Sequence, residues 1–207
     1  MKELYIFDFD GTIIDSYRDS IKYFNITLEQ YNLPTFDKEL EGLDYQTFRE
    51  FLHDQIMDME EEFMDAFTLN YKDSPQLNTY LYDGVLEVLH TLQNRGKILA
   101  ICSNREQNNL EEMVEKFFNT INFKYVSGDV DGCHNKPDPY RINEIIEKEN
   151  IDKDKVLYFG DKFVDIEAAR ACSIDMVLVT YGQGNDKAYS DYYPLKLIDN
   201  VEEILDF

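Results

Sequence analysis

The chain has 207 residues, 20 basic and 42 acidic side chains, and a formal charge of −22. Hydrophobic residues make up 43% and aromatics 14%, enough for a real core, so the charge does not imply disorder. An acidic surface of this size lacks the basic footprint that nucleic acid or an anionic membrane requires, and any phosphate ligand would need a local source of positive charge.

The first apolar run, Leu4–Phe7, reads as a buried strand and runs into Asp8-Phe9-Asp10-Gly11-Thr12-Ile13-Ile14-Asp15-Ser16. With 23 aspartates in the chain, chance alone yields about 2.5 D-x-D pairs. Three occur: Asp8/Asp10, Asp129/Asp131 and Asp152/Asp154. Only the first ends an apolar strand and enters Gly-Thr. Carboxylates two apart on a strand point the same way, roughly 6–7 Å apart. At the C-terminal edge of a parallel sheet they could hold a hard cation such as Mg2+, or one could attack an electrophile while the other moves a proton.

About 90 residues then separate this strand from the next, where a crossover needs about 30. Residues 16–80 carry helical patterns on Ile21, Phe24, Leu28 and Tyr31, on Phe48, Phe51 and Leu52, and on Ile56, Phe63, Phe67 and Leu69. They are expected to form an inserted helical bundle, with the acidic run Asp58–Glu62 as a solvated helix face. A helix follows over 83–92, with Asp83 as expected N-cap and Gly96 as its stop.

The second strand, Ile98–Cys102, ends in Ser103-Asn104-Arg105. A hydroxyl there, with N–H groups at a starting helix, suits an anionic oxygen; a plain N-cap serine is the alternative. A helix over 110–118 leads to strand Phe123–Val126 and then to His134-Asn135-Lys136-Pro137-Asp138-Pro139. The prolines fix a turn that opens a helix over 140–148 and would hold Lys136 at its mouth. Strand Val156–Phe159 ends in Gly160-Asp161-Lys162-Phe163-Val164-Asp165. Asp161 and Asp165, four apart, are expected to share a helical face, with capping as the simpler reading of Asp161. A helix over 166–172 and strand Met176–Val179 complete the βα alternation of a doubly wound parallel sheet.

Cys102, Cys133 and Cys172 are odd in number and widely spaced, which predicts free thiols and a cytoplasmic protein. No apolar run approaches the ~20 residues of a membrane span, and no signal peptide is expected. Four carboxylates, a hydroxyl and an ammonium at four successive strand ends describe metal-assisted phosphoryl transfer to an aspartate.

These motifs resemble those of the haloacid dehalogenase-like hydrolases, specifically the phosphoglycolate-phosphatase-like branch. Its D-x-D-G-T-x-x-D-S is similar to Asp8–Ser16, its strand-end Ser/Thr to Ser103, its K-P-x-P to Lys136–Pro139, and its G-D-x-x-x-D to Gly160–Asp165. The resemblance implies a Rossmann-like α/β core over 1–15 and 81–207, and a helical cap over 16–80 that closes over the substrate. It implies Asp8 as nucleophile and Asp10 as general acid and base. Mg2+ would be held by Asp8, the Asp10 backbone carbonyl and Asp161, with Asp165 assisting. Phosphoryl oxygens would be bound by Ser103 and Lys136, with Gly11, Thr12 and Asn104 completing the phosphate-binding set. A carboxylate at position 10 favours phosphate-ester chemistry over dehalogenation, because an alkoxide leaving group needs a proton. The expected substrate is a small phosphorylated metabolite: phosphoglycolate, a sugar phosphate or a nucleotide. No protein partner is implied.

Alternatives are a phosphomutase, a phosphonate hydrolase using Lys22 or Lys38 as Schiff-base lysine, and a non-catalytic binding module of the same fold. Arg18, Lys22 and Arg49 are the basic residues of the insert most worth testing, and Arg105 is a candidate to face substrate. Lys162 departs from the family's commoner Ser or Thr, and Cys172-Ser173 from its Ala-Gly.

Overall fold

The structure is a computed structural model that describes residues 1–37, 45–72, 74–130 and 132–207. Lys38 and Asp131 lie outside the described residues. The chain divides into two compact units, one formed by Met1–Ile14 with Leu81–Phe207 and the other by Asp15–Tyr80.

The strands are β1 (Leu4–Phe7), β2 (Ile14–Asp15), β3 (Tyr80–Leu81), β4 (Ile98–Glu106), β5 (Phe123–Asp129), β6 (Val156–Gly160), β7 (Asp175–Val179) and β8 (Lys196–Ile198). The helices are α1 (Tyr17–Gln30), α2 (Tyr45–Ile56), α3 (Glu60–Lys72), α4 (Val85–Asn94), α5 (Gln107–Phe118), α6 (Tyr140–Glu149), α7 (Phe163–Cys172) and α8 (Asp186–Tyr189). Six strands form one sheet in the order β5-β4-β1-β6-β7-β8, and every neighbouring pair is parallel. The chain runs outward from β1 through β4 to β5, then returns to the other side of β1 and runs out through β6, β7 and β8. This reversal beside β1 places a crevice at the C-terminal ends of β1, β4 and β6, where open α/β sheets bind their ligands. β2 and β3 pair as a small separate sheet where the chain passes between the units.

Alternation along the strands supplies two cores. Tyr5, Phe7, Leu99, Ile101, Leu157 and Phe159 face the apolar stripe of α4 and α5. Leu4, Ile6, Ala100, Cys102, Val156 and Tyr158 face α6 and α7. Phe7 and Phe159 stack at 5.0 Å on the two central strands. Burying one such aromatic contributes about 1.5–3 kcal/mol, so the strands whose ends carry the candidate site are anchored in the core.

One local expectation changes, one holds, and one strand was not expected. The N-cap of α4 is Gly84, not Asp83; its φ of 80° is left-handed, and a Cβ there would lie 2.7 Å from Glu202 Oε1. The stop at Gly96 (φ 73°) holds, with the Lys97 N–H donating to the Leu92 carbonyl. β8 had no sequence signal, because Lys196 and Leu197 are exposed and only Ile198 is buried.

In the second unit α1, α2 and α3 enclose Ile21, Phe24, Leu28, Phe36, Phe48, Leu52, Ile56 and Phe63. Phe24 and Phe67 stack face to face at 3.7 Å. Asp19 is buried and accepts from the Asn78 N–H (2.8 Å), Asn78 Nδ2 (3.0 Å) and Thr79 Oγ1 (2.8 Å), which ties the start of the unit to its end. Leu69 departs from the expected apolar stripe and is 71% exposed. Arg18, Lys22 and Arg49 are exposed, as are Asp58, Glu60, Glu61 and Glu62 of the acidic run. Among the described residues, no helix is long and apolar enough to cross a membrane.

Candidate active site

Asp8 follows β1 directly, and its N–H continues the ladder to the Phe159 carbonyl at 2.8 Å. Its side chain is buried, and Oδ1 accepts from Lys136 Nζ at 2.7 Å. Lys136 also donates to Asp165 Oδ1 at 2.6 Å and to the Tyr158 hydroxyl at 3.0 Å. Tyr158 in turn lies 3.0 Å from Asp165 Oδ1 and 3.3 Å from the Cys102 carbonyl. One ammonium therefore joins the ends of β1 and β6 and the first turn of α7.

Asp161 and Asp165 do not share a helical face. Asp161 belongs to the turn after β6, and α7 starts only at Phe163, with Lys162 rather than Asp161 at the cap position. Asp165 reaches back so that Oδ2 accepts the Lys162 N–H at 2.9 Å, which turns its Oδ1 to Lys136. Asp161 Oδ2 accepts the Gln183 N–H at 2.6 Å. The backbone is bare around it: a Cβ on Gly11 would lie 2.1 Å from Asp161 Oδ2, and one on Gly182 2.7 Å from its Cβ. Gly11 thus admits Asp161 to the end of β1, and only glycine fits at its φ of 89°. Thr12 beside it is fully buried, and its carbonyl accepts from the Tyr181 hydroxyl at 3.0 Å.

Ser103 is buried at the crevice, but it caps no helix. β4 runs four residues past the expected end to Glu106, whose side chain caps α5 by accepting the Asn109 N–H. The Ser103 Oγ accepts the Arg105 N–H at 3.2 Å. Asn104 braces the next loop: Nδ2 donates to the Lys136 carbonyl (2.9 Å) and Oδ1 accepts the Lys136 N–H (2.8 Å). Buried Arg141 donates to the carbonyls of Ser103 (2.6 Å) and His134 (2.9 Å) and to Asn104 Oδ1 (2.7 Å), binding the two loops together. Asp10 lies apart from the lysine, in a two-pronged pair with Arg105: Nε to Oδ2 at 2.9 Å and Nη2 to Oδ1 at 2.5 Å.

Sequence reasoning missed Tyr158 and Arg141. Each had a signal. Tyr158 is the one polar-tipped side chain in an apolar strand, and Arg141 is a charge on the buried face of α6.

Carboxylate oxygens of Asp8, Asp161 and Asp165 lie within 4.8 Å of one another, all buried. Burial pushes Asp8 up to about 6, with Asp165 adding and Lys136 opposing. Burial likewise pushes Asp161 up to about 7, against the pull of Lys162, while Asp8 and Asp165 add to the rise. Asp161 Oδ1 is buried with no hydrogen-bond partner. Three hard oxygen donors, mutual repulsion and one orphaned carboxylate oxygen fit a small divalent cation.

The profile of the family described as haloacid dehalogenase-like hydrolase matches residues 5–179, strand ends and intervening insert together. The chain belongs to the haloacid dehalogenase-like hydrolases. Among curated members of the family, the phosphoglycolate phosphatase of Mesorhizobium japonicum is 26% identical, over 98% of this chain and 93% of its own. That of Colwellia psychrerythraea is 28% identical, over 99% and 96%. A haloacid dehalogenase-like hydrolase of Streptococcus pneumoniae has the same fold, with a TM-score of 0.82 over 99% of this chain and 97% of that one at 19% identity. Likeness along whole chain lengths puts this hydrolase in the phosphoglycolate-phosphatase-like branch.

Proposed function

We propose that this phosphatase hydrolyses a small phosphorylated metabolite through an aspartyl-phosphate on Asp8, with Mg2+ as cofactor and residues 16–80 as the family's cap. The observation that carries this reading is Asp8 itself, a buried carboxylate held by Lys136 at 2.7 Å within a three-carboxylate cluster. With Oδ1 on the lysine, Oδ2 is the oxygen that attacks phosphorus. The new P–O bond forms as the ester P–O bond breaks, and Asp10, having left Arg105 and taken a proton from water, gives that proton to the departing oxygen. Asp10 then takes a proton from the water that cleaves the acyl phosphate, which frees inorganic phosphate and restores Asp8. Ser103 and Lys136 bind the phosphoryl oxygens, Asn104 sets the Lys136 backbone, and Gly11 and Thr12 shape the turn beneath them. Asp8, Asp161 and Asp165, with the Asp10 carbonyl, would hold Mg2+, which would supply positive charge to offset the phosphoryl group. Three free cysteines suit a reducing cytoplasm.

The test is phosphate release from a panel of esters with Mg2+ present: phosphoglycolate first, as the substrate named for the curated relatives, then sugar phosphates and nucleotides. Turnover of phosphoglycolate above the rest supports the reading. Isomerisation of a sugar phosphate without phosphate release would point to a mutase, and inertness of folded protein on all of them to a binding module.

Stability offers a second test. Asp8 and Asp161 titrate in the folded state at about 6 and about 7, above an ordinary value of 3.8. A raised carboxyl pKa means that the folded state loses stability as pH climbs from about 4 through about 7, on the order of 3–4 kcal/mol for the larger shift. Metal-free protein is therefore expected to melt lower at about pH 8 than at about pH 5. Excess Mg2+ should raise Tm by several degrees at the higher pH and much less at the lower. Calorimetry at both values checks this, and an equal Mg2+ effect at the two would refute it.

A further inference from the structure

The Lys136 side chain is only 3% exposed, and its ammonium meets three oxygens: Asp165 Oδ1 at 2.6 Å, Asp8 Oδ1 at 2.7 Å and the Tyr158 hydroxyl at 3.0 Å. An ammonium has three protons to donate, and these three oxygens take them. Two of the acceptors are carboxylates and the third is a neutral phenol. Tyr158 is fully buried, in the apolar cluster that holds Ile6, Ala100 and Cys102, so its hydroxyl has a fixed place. It gives its own proton to Asp165 Oδ1 at 3.0 Å, with the Cys102 carbonyl at 3.3 Å as a second acceptor. A ring rooted in the core thus presents its oxygen to the ammonium.

A phosphoryl oxygen that binds Lys136 needs one of these protons, and the three contacts are unequal. The two with carboxylates join opposite charges in an enclosed site. Charge-assisted hydrogen bonds are roughly twice as strong as neutral ones, and parting a buried ion pair strands a charge. Asp165 is fixed further by the Lys162 N–H, which donates to its Oδ2 at 2.9 Å. The phenol contact is the longest of the three and joins no opposite charges. When the lysine proton leaves it, the hydroxyl still keeps its own bond to Asp165. The phenol contact is therefore the one that opens at least cost.

We infer that Tyr158 is a positioning residue that acts through Lys136: its hydroxyl holds the third ammonium proton and yields that proton to a phosphoryl oxygen on binding. This inference rests on the reading above that Lys136 binds the phosphoryl group, and deepens it by naming what that binding displaces. The hydroxyl keeps an enclosed ammonium satisfied and aligned. Because its bond is given up when phosphate enters, it also loosens the hold on inorganic phosphate, the product that has to leave.

The experiment measures binding of inorganic phosphate, with Mg2+ present, by calorimetry on wild type, Tyr158→Phe and Tyr158→Leu. Phenylalanine keeps the ring in the core and removes the oxygen alone. The third ammonium proton then has no phenol to leave, and phosphate is expected to bind about 3–10-fold more tightly than to wild type, the worth of one neutral hydrogen bond. Without phosphate or metal, the same variant should melt a few degrees lower, because the ammonium and Asp165 each lose a partner. The two changes have opposite signs, which a purely structural tyrosine does not produce. Loosened packing would weaken phosphate binding along with stability, and more in Tyr158→Leu than in Tyr158→Phe. Tyr158→Leu is instead expected to bind phosphate more tightly than wild type despite its lower Tm. Phosphate affinity in Tyr158→Phe that is weaker than wild type, or within about twofold of it, overturns the inference. Ester turnover separates the two readings. Wild-type protein that neither binds phosphate nor turns over any ester with Mg2+ removes both; ester turnover with unchanged phosphate affinity in Tyr158→Phe removes the inference alone.

Discussion

Asp8→Asn is expected to lower kcat on every phosphate monoester by about 10³-fold or more, equivalent to at least about 4 kcal/mol of barrier. A carboxamide has the shape of the carboxylate and a far weaker nucleophile, and it cannot carry the phosphoryl group as an acyl phosphate that water cleaves. The change should spare the fold. Burial already pushes the Asp8 carboxyl up to about 6, so its ionisation costs the folded protein at neutral pH. Asparagine keeps an oxygen for Lys136 and removes one of three crowded charges. The Tm of metal-free Asp8→Asn should thus stay within a few degrees of wild type or rise. A melting temperature and a phosphate-release assay on one preparation decide the matter. Turnover that survives the substitution would end the case for Asp8 as nucleophile.

The sheet was legible because both of its faces are buried. Leu4–Phe7 and Val156–Phe159 read as unbroken apolar runs, and each run ends where a polar group must stand, at Asp8 and at Asp161. Groups at strand ends are written next to structure in the chain, so Asp8, Ser103 and Lys136 could be picked out by position. β8 escaped because an edge strand with one buried residue in three looks like a loop. The 161/165 spacing misled because helical periodicity was applied across a turn that is not yet helix. What no spacing encodes is pairing over long separations. Arg105 meets Asp10 across 95 positions, and Tyr158 meets Lys136 across 22. Gly182 approaches the Gly11 carbonyl from the far end of the core. The net charge was likewise uninformative about the site, where the Lys136 ammonium sits between Asp8 and Asp165 and the Arg105 guanidinium sits on Asp10.

Lys136→Met should destabilise the metal-free protein by about 3–5 kcal/mol at about pH 8, because it leaves Asp8 and Asp165 enclosed beside Asp161 without the ammonium that joins the first two. Burial pulls the Lys136 pKa down, but Asp165 and Asp8 override it and hold the amine above its ordinary range. A raised lysine pKa contributes stability that is fully present below about 10 and lost only above it, so the wild-type ammonium is constant from about pH 5 to pH 8. Any pH dependence of the penalty in that window then comes from the carboxyls. Burial pushes Asp8 up to about 6 and Asp161 up to about 7 in the intact site, and Asp8 goes higher once the opposing ammonium is gone. At about pH 5 the cluster has shed most of its negative charge, and methionine fits a space that no longer demands a cation. The penalty should shrink to about 1–2 kcal/mol there, and excess Mg2+ should recover part of it at about pH 8. Urea unfolding of wild type and variant at both pH values gives the difference directly. A penalty of equal size at the two would mean that Lys136 acts through packing of its methylene stem and its contact with Tyr158, and that the carboxylate cluster does not depend on it for charge.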